Sequence, residues 1–211
     1  MWAEHILYTI AIAIFVSMIL QHYKIHDISW ILVPMSAVPD VDYPVSRLMT
    51  FIGLKYPYIW NHGDFHNLIG LIVLSSIIAL YLYRKKIGNF LLIWIMCVSG
   101  FALHLLEDMF VYDHIYSVLY PITIKVYGWN IVPESGSLII GGQGVFTVGL
   151  ALLAIIILIR VAFTGDDWIT GYQKDYHNWM KYFTFHPYSL TMKTYMIILL
   201  NQANTYKYPE E

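Results

Sequence analysis

The strongest constraint on this fold is a set of long apolar runs that carry almost no charge. Four of them cover residues 6–20, 68–83, 87–106 and 138–163, and their only acidic or basic residues are His104 and Arg160, near the run ends. A sixteen-residue helix rises by about 24 Å, slightly less than the ~30 Å hydrocarbon core of a bilayer. A fifth run, residues 28–38, is shorter and contains Pro34, which cannot donate a backbone hydrogen bond. The sequence therefore predicts an all-α, polytopic membrane helix bundle of about five helices, the second of them short or re-entrant.

The composition agrees with a membrane protein and excludes other classes. The chain is 58% hydrophobic and 12% charged, against about 25% charged residues in soluble domains. No Lys or Arg precedes the first run and no small-residue cleavage site follows it, so we expect a retained helix rather than a signal peptide. The net charge of -2, without a cluster of cations, argues against a nucleic-acid partner. The single cysteine, Cys97, excludes a disulfide framework or a thiolate metal site.

Charge placement predicts the domain limits and the orientation. We expect residues 1–163 to form one membrane-embedded domain and residues 164–211 a cytoplasmic or interfacial tail. Arg84, Lys85 and Lys86 form the turn between the third and fourth predicted helices, and such cations favour the cytoplasmic side. The N-terminus is then extracytoplasmic.

Imidazole and carboxylate side chains collect at the predicted extracytoplasmic helix ends. His104 and Asp108 are four residues apart, so both project from one face of the fourth predicted helix. His62 and His66 have the same interval if the third helix begins near residue 61. The first helix adds His5, and the sequence PDVD after the second adds Asp40 and Asp42.

This donor set favours a metal centre over the simpler alternatives. Each motif alone has a structural explanation: HxxxD as a capping or ion pair, PDVD as a turn, and HGDFHN as a loop whose Asp64 or Asn67 caps the third helix. All of these explanations would have to hold together on one side of the membrane, where unpartnered ionisable groups are costly. Imidazoles with several carboxylates suit two or three divalent ions, with zinc the first candidate.

The same residues carry a resemblance to a known family. His5, PDVD at 39–42, HGDFHN at 62–67, GFALHLLED at 100–108 and YPI at 120–122 resemble the series H, PDxD, HRGxTHS, GxxxHLxLD and a Trp-Pro-Phe-like segment. That series is typical of the membrane-bound metal-dependent hydrolases, also called LexA-binding, inner-membrane-associated hydrolases. The resemblance covers residues 1 to about 125 and implies a prokaryotic inner-membrane location. It implies metal ligands at the following positions: His5, Asp40, Asp42, His62, His66, His104 and Asp108. HGDFHN lacks the family's Arg and Ser, so the resemblance does not extend to a phosphate-binding cation there.

A more remote similarity links the chain to zinc-dependent phospholipase C enzymes. Those enzymes also have an early His and an HxxxD pair, followed six residues later by another His. His114 follows Asp108 by six residues and is therefore a further candidate ligand.

We therefore expect a membrane-embedded hydrolase that uses a metal-activated water, acting on a phosphoester of a lipid or lipid-linked substrate. Asp42 is either a ligand or the base that orients the water, and Asp64 is either a hydrogen-bond partner of a metal ligand or a proton acceptor. The alternative is a metal-ion transporter or sensor that uses the same cluster without hydrolysis. A third possibility is a scaffold whose metals only hold helices together.

Overall fold

A computed structural model describes residues 2–54, 63–112, 116–131, 143–165, 173, 176, 177 and 180. The described residues form helices and no named strand, with one isolated β-bridge between Tyr116 and Tyr127. The α-helices are α1 (Trp2–His22), α2 (Leu32–Ser36), α3 (Asp42–Phe51), α4 (Leu68–Arg84), α5 (Phe90–Val111) and α6 (Gln143–Thr164), and short 3-10 helices cover Ser29–Ile31 and Pro39–Val41. The predicted all-α architecture is confirmed for this part of the chain.

Three of these helices are long and apolar enough to cross a membrane: α1 from Ala3, α5, and α6 from Gly144. Helix α4 is apolar but shorter, at 17 residues. The predicted second helix is a 3-10 turn followed by the five residues of α2. Together these eight residues rise by roughly 14 Å, about half of a hydrocarbon core, so this segment does not cross on its own.

Helix α4 begins at Leu68, as the apolar run 68–83 predicts, and Asn67 caps it, as one alternative for HGDFHN expects: the Asn67 side chain accepts a hydrogen bond from the Gly70 amide at 3.0 Å. The condition for His62 and His66 to share a helix face, a helix start near residue 61, is therefore not met. The sequence PDVD is not a simple turn. It is a 3-10 turn that runs directly into α3, a helix that the apolar runs did not predict.

Helix α2 packs against α5 at a glycine. A Cβ atom on Gly100 would lie 2.6 Å from the Leu32 carbonyl oxygen and 2.7 Å from the Met35 Cβ atom. Only glycine therefore permits this approach, which brings the chain after α2 close to the C-terminal half of α5. Gly100, His104 and Asp108 recur every four residues on α5, so the stripe that packs against α2 continues into the predicted ligands.

A buried carboxylate fixes the start of the short segment at the other end of the bundle. Asp27 is 6% exposed and accepts hydrogen bonds from the Ser17 hydroxyl at 2.7 Å, the Ser29 hydroxyl at 2.7 Å and the Ser29 amide at 3.1 Å. The Gln21 side chain lies 3.4 Å away as a further donor. This cluster, the Asp27 network, ties α1 to the 3-10 turn before α2.

The chain divides into two compact units, Met1–Asp175 and Tyr176–Glu211. Only three residues of the second unit are described, so the prediction for residues 164–211 falls almost wholly outside the described residues.

Candidate metal centre

Five segments of the chain deliver buried imidazole and carboxylate groups to one end of the bundle. The groups come from the first turn of α1, the 3-10 turn after α2, the start of α3, the residue before the α4 cap, and the last two turns of α5. They are His5, Asp40, Asp42, His66, His104 and Asp108, none more than 7% exposed. We call this set the His/Asp cluster.

Donor atoms of the cluster approach one another at the distances expected between ligands of one ion. The Nε2 atom of His66 lies 3.1 Å from Nε2 of His104, 3.3 Å from Oδ1 of Asp40 and 3.5 Å from Oδ2 of Asp108. The Nε2 atom of His104 lies 3.6 Å from the same Asp40 oxygen and 3.4 Å from the same Asp108 oxygen. Zinc bound at about 2.0–2.1 Å separates tetrahedral ligand atoms by about 3.3 Å. The two imidazoles with either carboxylate match that separation, and the two carboxylates belong to different donor groups.

The two oxygens of Asp108 face different histidines. Oδ2 faces His66 and His104, whereas Oδ1 lies 3.3 Å from Nε2 of His5. A carboxylate in this position can bridge two ions. His5, Asp40 and His104 also form a group whose potential ligand atoms all lie within 4.8 Å of one another, and His66, His104 and Asp108 form a second such group. The arrangement therefore fits two ions that share ligands better than it fits one.

Asp42 holds His66 in orientation. Its Oδ2 atom lies 3.4 Å from Nδ1 of His66 and accepts hydrogen bonds from the amides of Gly63, at 2.8 Å, and Phe65, at 3.4 Å. A carboxylate at Nδ1 sets the ring so that Nε2 points toward the other donors, which is a common arrangement around metal-bound histidine. The position of Asp42 thus fits an orienting group better than a direct ligand.

The loop that carries His66 requires glycine at Gly63. Its φ angle is +103°, and a Cβ atom there would lie 2.6 Å from the ring of Tyr116. The Tyr116 ring stacks on the His66 imidazole, with ring centroids 4.3 Å apart. The loop after α5 thus covers the His66 side of the cluster.

Glu107 orients His5 in a similar way, and sequence reasoning missed it. The Nδ1 atom of His5 lies 2.6 Å from Oε2 of Glu107, so that its Nε2 atom faces Asp108. The HxxxD spacing predicts that residues 104 and 108 share a helix face, but it assigns no role to Glu107, which lies between them. Because 102 residues separate Glu107 from its partner, only the adjacent carboxylate in HLLED hinted at this contact.

The electrostatics outside the helical spans follow from burial and close charges. Burial lowers the pKa of His66, but its hydrogen bonds to Asp40 and Asp42 outweigh burial and raise the pKa to about 9. Burial raises the pKa of Asp40, but His66 and the other nearby imidazoles outweigh that effect and lower it overall. Burial, together with the nearby carboxylates, raises the pKa of the Tyr116 phenol, which therefore stays protonated at neutral pH. A bound cation would take over the role of the imidazole proton.

Three predicted site residues lie elsewhere or outside the described residues. Asp64 is exposed on the loop before α4, where its carbonyl oxygen accepts a hydrogen bond from the Asn67 side chain at 2.7 Å. Its carboxylate is not in either of the two donor groups. His62 and His114 fall outside the described residues, so their predicted roles as ligands stay predictions.

A family model described as YdjM inner membrane protein matches residues 1–169 of the chain. No curated protein matches the chain. No solved structure matches it either.

Proposed function

The chain belongs to the YdjM inner membrane protein family, and from that premise we propose that it is a membrane-embedded metal-dependent hydrolase. The substrate class we propose is a phosphoester of a lipid or lipid-linked molecule, and the ions are divalent, with zinc the first candidate. The observation that carries the proposal is a pair of overlapping groups of buried donors, whose ligand atoms within each group lie within 4.8 Å of one another. The groups are His66, His104 and Asp108, and His5, Asp40 and His104.

The charges of the cluster support cation binding over a purely structural role. The described residues place no Lys or Arg in an ion pair with Asp40, Asp108 or Glu107, whose partners are histidines. Buried carboxylates are costly unless paired or bound to a metal. When the imidazoles lose their protons to serve as ligands, the carboxylates keep negative charge that divalent ions would balance.

The ligand residues divide into two groups of three. His66, His104 and Asp108 form one group, and His5, Asp40 and His104 form the other. Each group would hold one divalent ion, and three protein ligands leave part of the coordination sphere of each ion open. Coordination positions then remain for water and substrate, as a catalytic site requires. Two such ions lower the pKa of a bound water and stabilise charge on a phosphoryl oxygen.

Asp42 and Glu107 act in this proposal as orienting groups. Each holds the Nδ1 side of one imidazole and leaves Nε2 directed into the cluster. The Asp42 oxygen that faces His66 already accepts two backbone hydrogen bonds, so we favour orientation over a role as general base. The catalytic role predicted for Asp64 stays untested.

Apolar residues around the cluster support a lipid substrate. On α3, which begins at Asp42, Leu48 is 59% exposed and Phe51 87% exposed, and in the loop near Tyr116, Ile122 and Ile124 are 79% and 80% exposed. Such side chains beside a polar site suit the boundary between headgroups and hydrocarbon. The cations at Arg84, Lys85 and Lys86 follow the opposite end of α4, so we propose that the cluster faces the extracytoplasmic side.

The test is metal analysis and hydrolysis with the full chain purified in detergent. We expect about two zinc ions per chain and zinc-dependent hydrolysis of phospholipid vesicles or a soluble phosphodiester. His104→Ala should remove both, whereas His22→Ala, at the far end of α1, should retain both. A protein without stoichiometric metal, or hydrolysis unchanged in His104→Ala, contradicts the proposal. Metal bound without hydrolysis favours the transporter or sensor alternative.

A further inference from the structure

A cavity of about 330 Å³ lies between α1, α5 and α6, beside the His/Asp cluster. This volume lies within the range of small-molecule sites, about 300–1,000 Å³. Glu4, His5 and Glu107 belong to its wall, although the surface that faces the cavity is almost entirely apolar. Most of the remaining wall is aliphatic or aromatic, including Ile12 and Leu103.

The wall of the cavity passes from buried to exposed residues. His5 and Val145 are 4% and 2% exposed, whereas Leu106, Phe110 and Val148 are 43–44% exposed. The exposed lining residues belong to α5 and α6, which are both candidate membrane spans. An apolar opening between such helices faces acyl chains rather than water. The occupant that matches this rim is therefore a hydrocarbon chain.

The cavity and the His/Asp cluster meet at one side chain. Nε2 of His5 faces Asp108, and Nδ1 of the same ring contacts Glu107, which lines the cavity. An amphipathic molecule with its tail in the cavity would therefore bring its polar group to His5. The hydroxyl of Tyr8 donates a hydrogen bond to the Val145 carbonyl at 2.8 Å, which ties α1 to α6 along this wall.

We propose that the cavity binds one hydrocarbon chain of a membrane lipid and so presents the polar end of that lipid to the His/Asp cluster. The inference rests on the proposed function, because it names the part of the substrate that this site selects. It implies that substrates carry at least one long chain, and that soluble phosphoesters without a chain are handled less well.

Photocrosslinking in nanodiscs tests the binding step directly. The probe is a phosphatidylcholine with a diazirine in one acyl chain, and labelled peptides are identified by mass spectrometry. We expect labels at Ile12 and Leu103, inside the cavity. Wild-type protein labelled only on outward-facing residues such as Leu150 overturns the inference, even if no variant folds.

Two tryptophan variants on α6 compare a filled cavity with an open one. Val148→Trp fills the rim, whereas Leu150→Trp places the same side chain on α6 at a residue that is 46% exposed and does not line the cavity. We expect Val148→Trp to lose most of the labelling of Ile12 and Leu103, because the larger side chain occupies the rim through which the hydrocarbon chain enters. Leu150→Trp should label as wild type does. Equal labelling in the two variants overturns the inference.

Two further measurements separate this inference from the proposed function. Labelling after zinc is removed with a chelator should persist, because His5 is the one proposed ligand among the residues that line the cavity. If labelling persists while no metal-dependent hydrolysis is found, the cavity binds a hydrocarbon chain and the hydrolase proposal fails. If hydrolysis is found and Val148→Trp cleaves long-chain phospholipid and a soluble phosphodiester in the wild-type ratio, the hydrolase proposal stands and the inference about the cavity fails.

Discussion

The protein buries carboxylates at both ends of its bundle, and the two ends treat them differently. Asp27 accepts hydrogen bonds from two serine hydroxyls and a backbone amide, so uncharged donors surround it. Asp40 and Asp108 instead face the Nε2 atoms of His66 and His104 at 3.3–3.6 Å. These two Nε2 atoms lie 3.1 Å from each other. A carboxylate that only supports a fold needs donors, as the Asp27 network provides. Asp40 and Asp108 have imidazoles as partners instead, a pairing that fits our proposal of a cation site.

Converting each buried carboxylate to an amide should separate the two ends most strongly. Asp108→Asn removes the charge that faces three histidines, so we expect loss of bound zinc and of hydrolysis to the level of the metal-free protein. Asp27→Asn should keep its zinc and lose roughly 1–3 kcal/mol of unfolding free energy, because one hydroxyl donor is left facing an amide N–H. Metal content and thermal unfolding of the two variants measure the difference. Zinc retained by Asp108→Asn would contradict this account of the cluster.

The close packing of α2 on α5 should matter more for the His/Asp cluster than for the opposite end. Gly100→Ala forces a Cβ atom against the Leu32 carbonyl, and overpacking of this kind costs about 1–3 kcal/mol. Because α2 precedes Asp40, we also expect weaker zinc binding. Gly88→Ala is the control, since its Cβ would meet nothing nearer than 3.8 Å. Equal zinc affinity in the two variants would show that the packing of α2 on α5 does not affect zinc binding.

The orienting carboxylates should have smaller effects than the ligands. We expect Glu107→Gln to weaken zinc binding about 10- to 100-fold, the usual range for groups that hold a metal-bound histidine. The measurement is competition with a chelator of known affinity. Asp64→Asn, on the exposed loop, serves as the comparison and should change binding little. If Glu107→Gln binds zinc as tightly as wild type does, Glu107 does not contribute to zinc binding.

The smallest expected effect is a pH dependence confined to the zinc-free protein. The pKa of His66 is raised to about 9 by Asp40 and Asp42, above its usual 6.5, so its protonation stabilises the fold below about pH 6.5. That stabilisation is lost as the pH rises toward 9. Bound zinc replaces the proton, so the zinc-loaded protein should not weaken in this window. Melting temperatures at several pH values, with and without zinc, should therefore diverge as pH rises, and parallel curves would contradict the prediction.

The sequence predicted the helical membrane class well because apolar runs are a property of composition along the chain. Eight ligand candidates could also be named, and six of them, from His5 to Asp108, lie in the His/Asp cluster. The start of α4 agrees with the apolar run from Leu68, but the Asn67 cap places His66 before the helix, so His62 and His66 do not share a helix face. Helix α3 was missed because it is amphipathic and not a long apolar run. Glu107 depends on a contact with His5 across the chain, which no local pattern specifies.

The stripe of α5 that contains Gly100, His104 and Asp108 has a consequence for how the protein is made. The proposed ligand set needs residues 40, 66, 104 and 108, so no chain that ends before Asp108 contains it. A nascent chain therefore inserts its early helices without a complete centre. Metal can be captured by the full ligand set only after α5 has packed against α2, so any hydrolytic activity toward the surrounding bilayer would be withheld until the bundle has assembled.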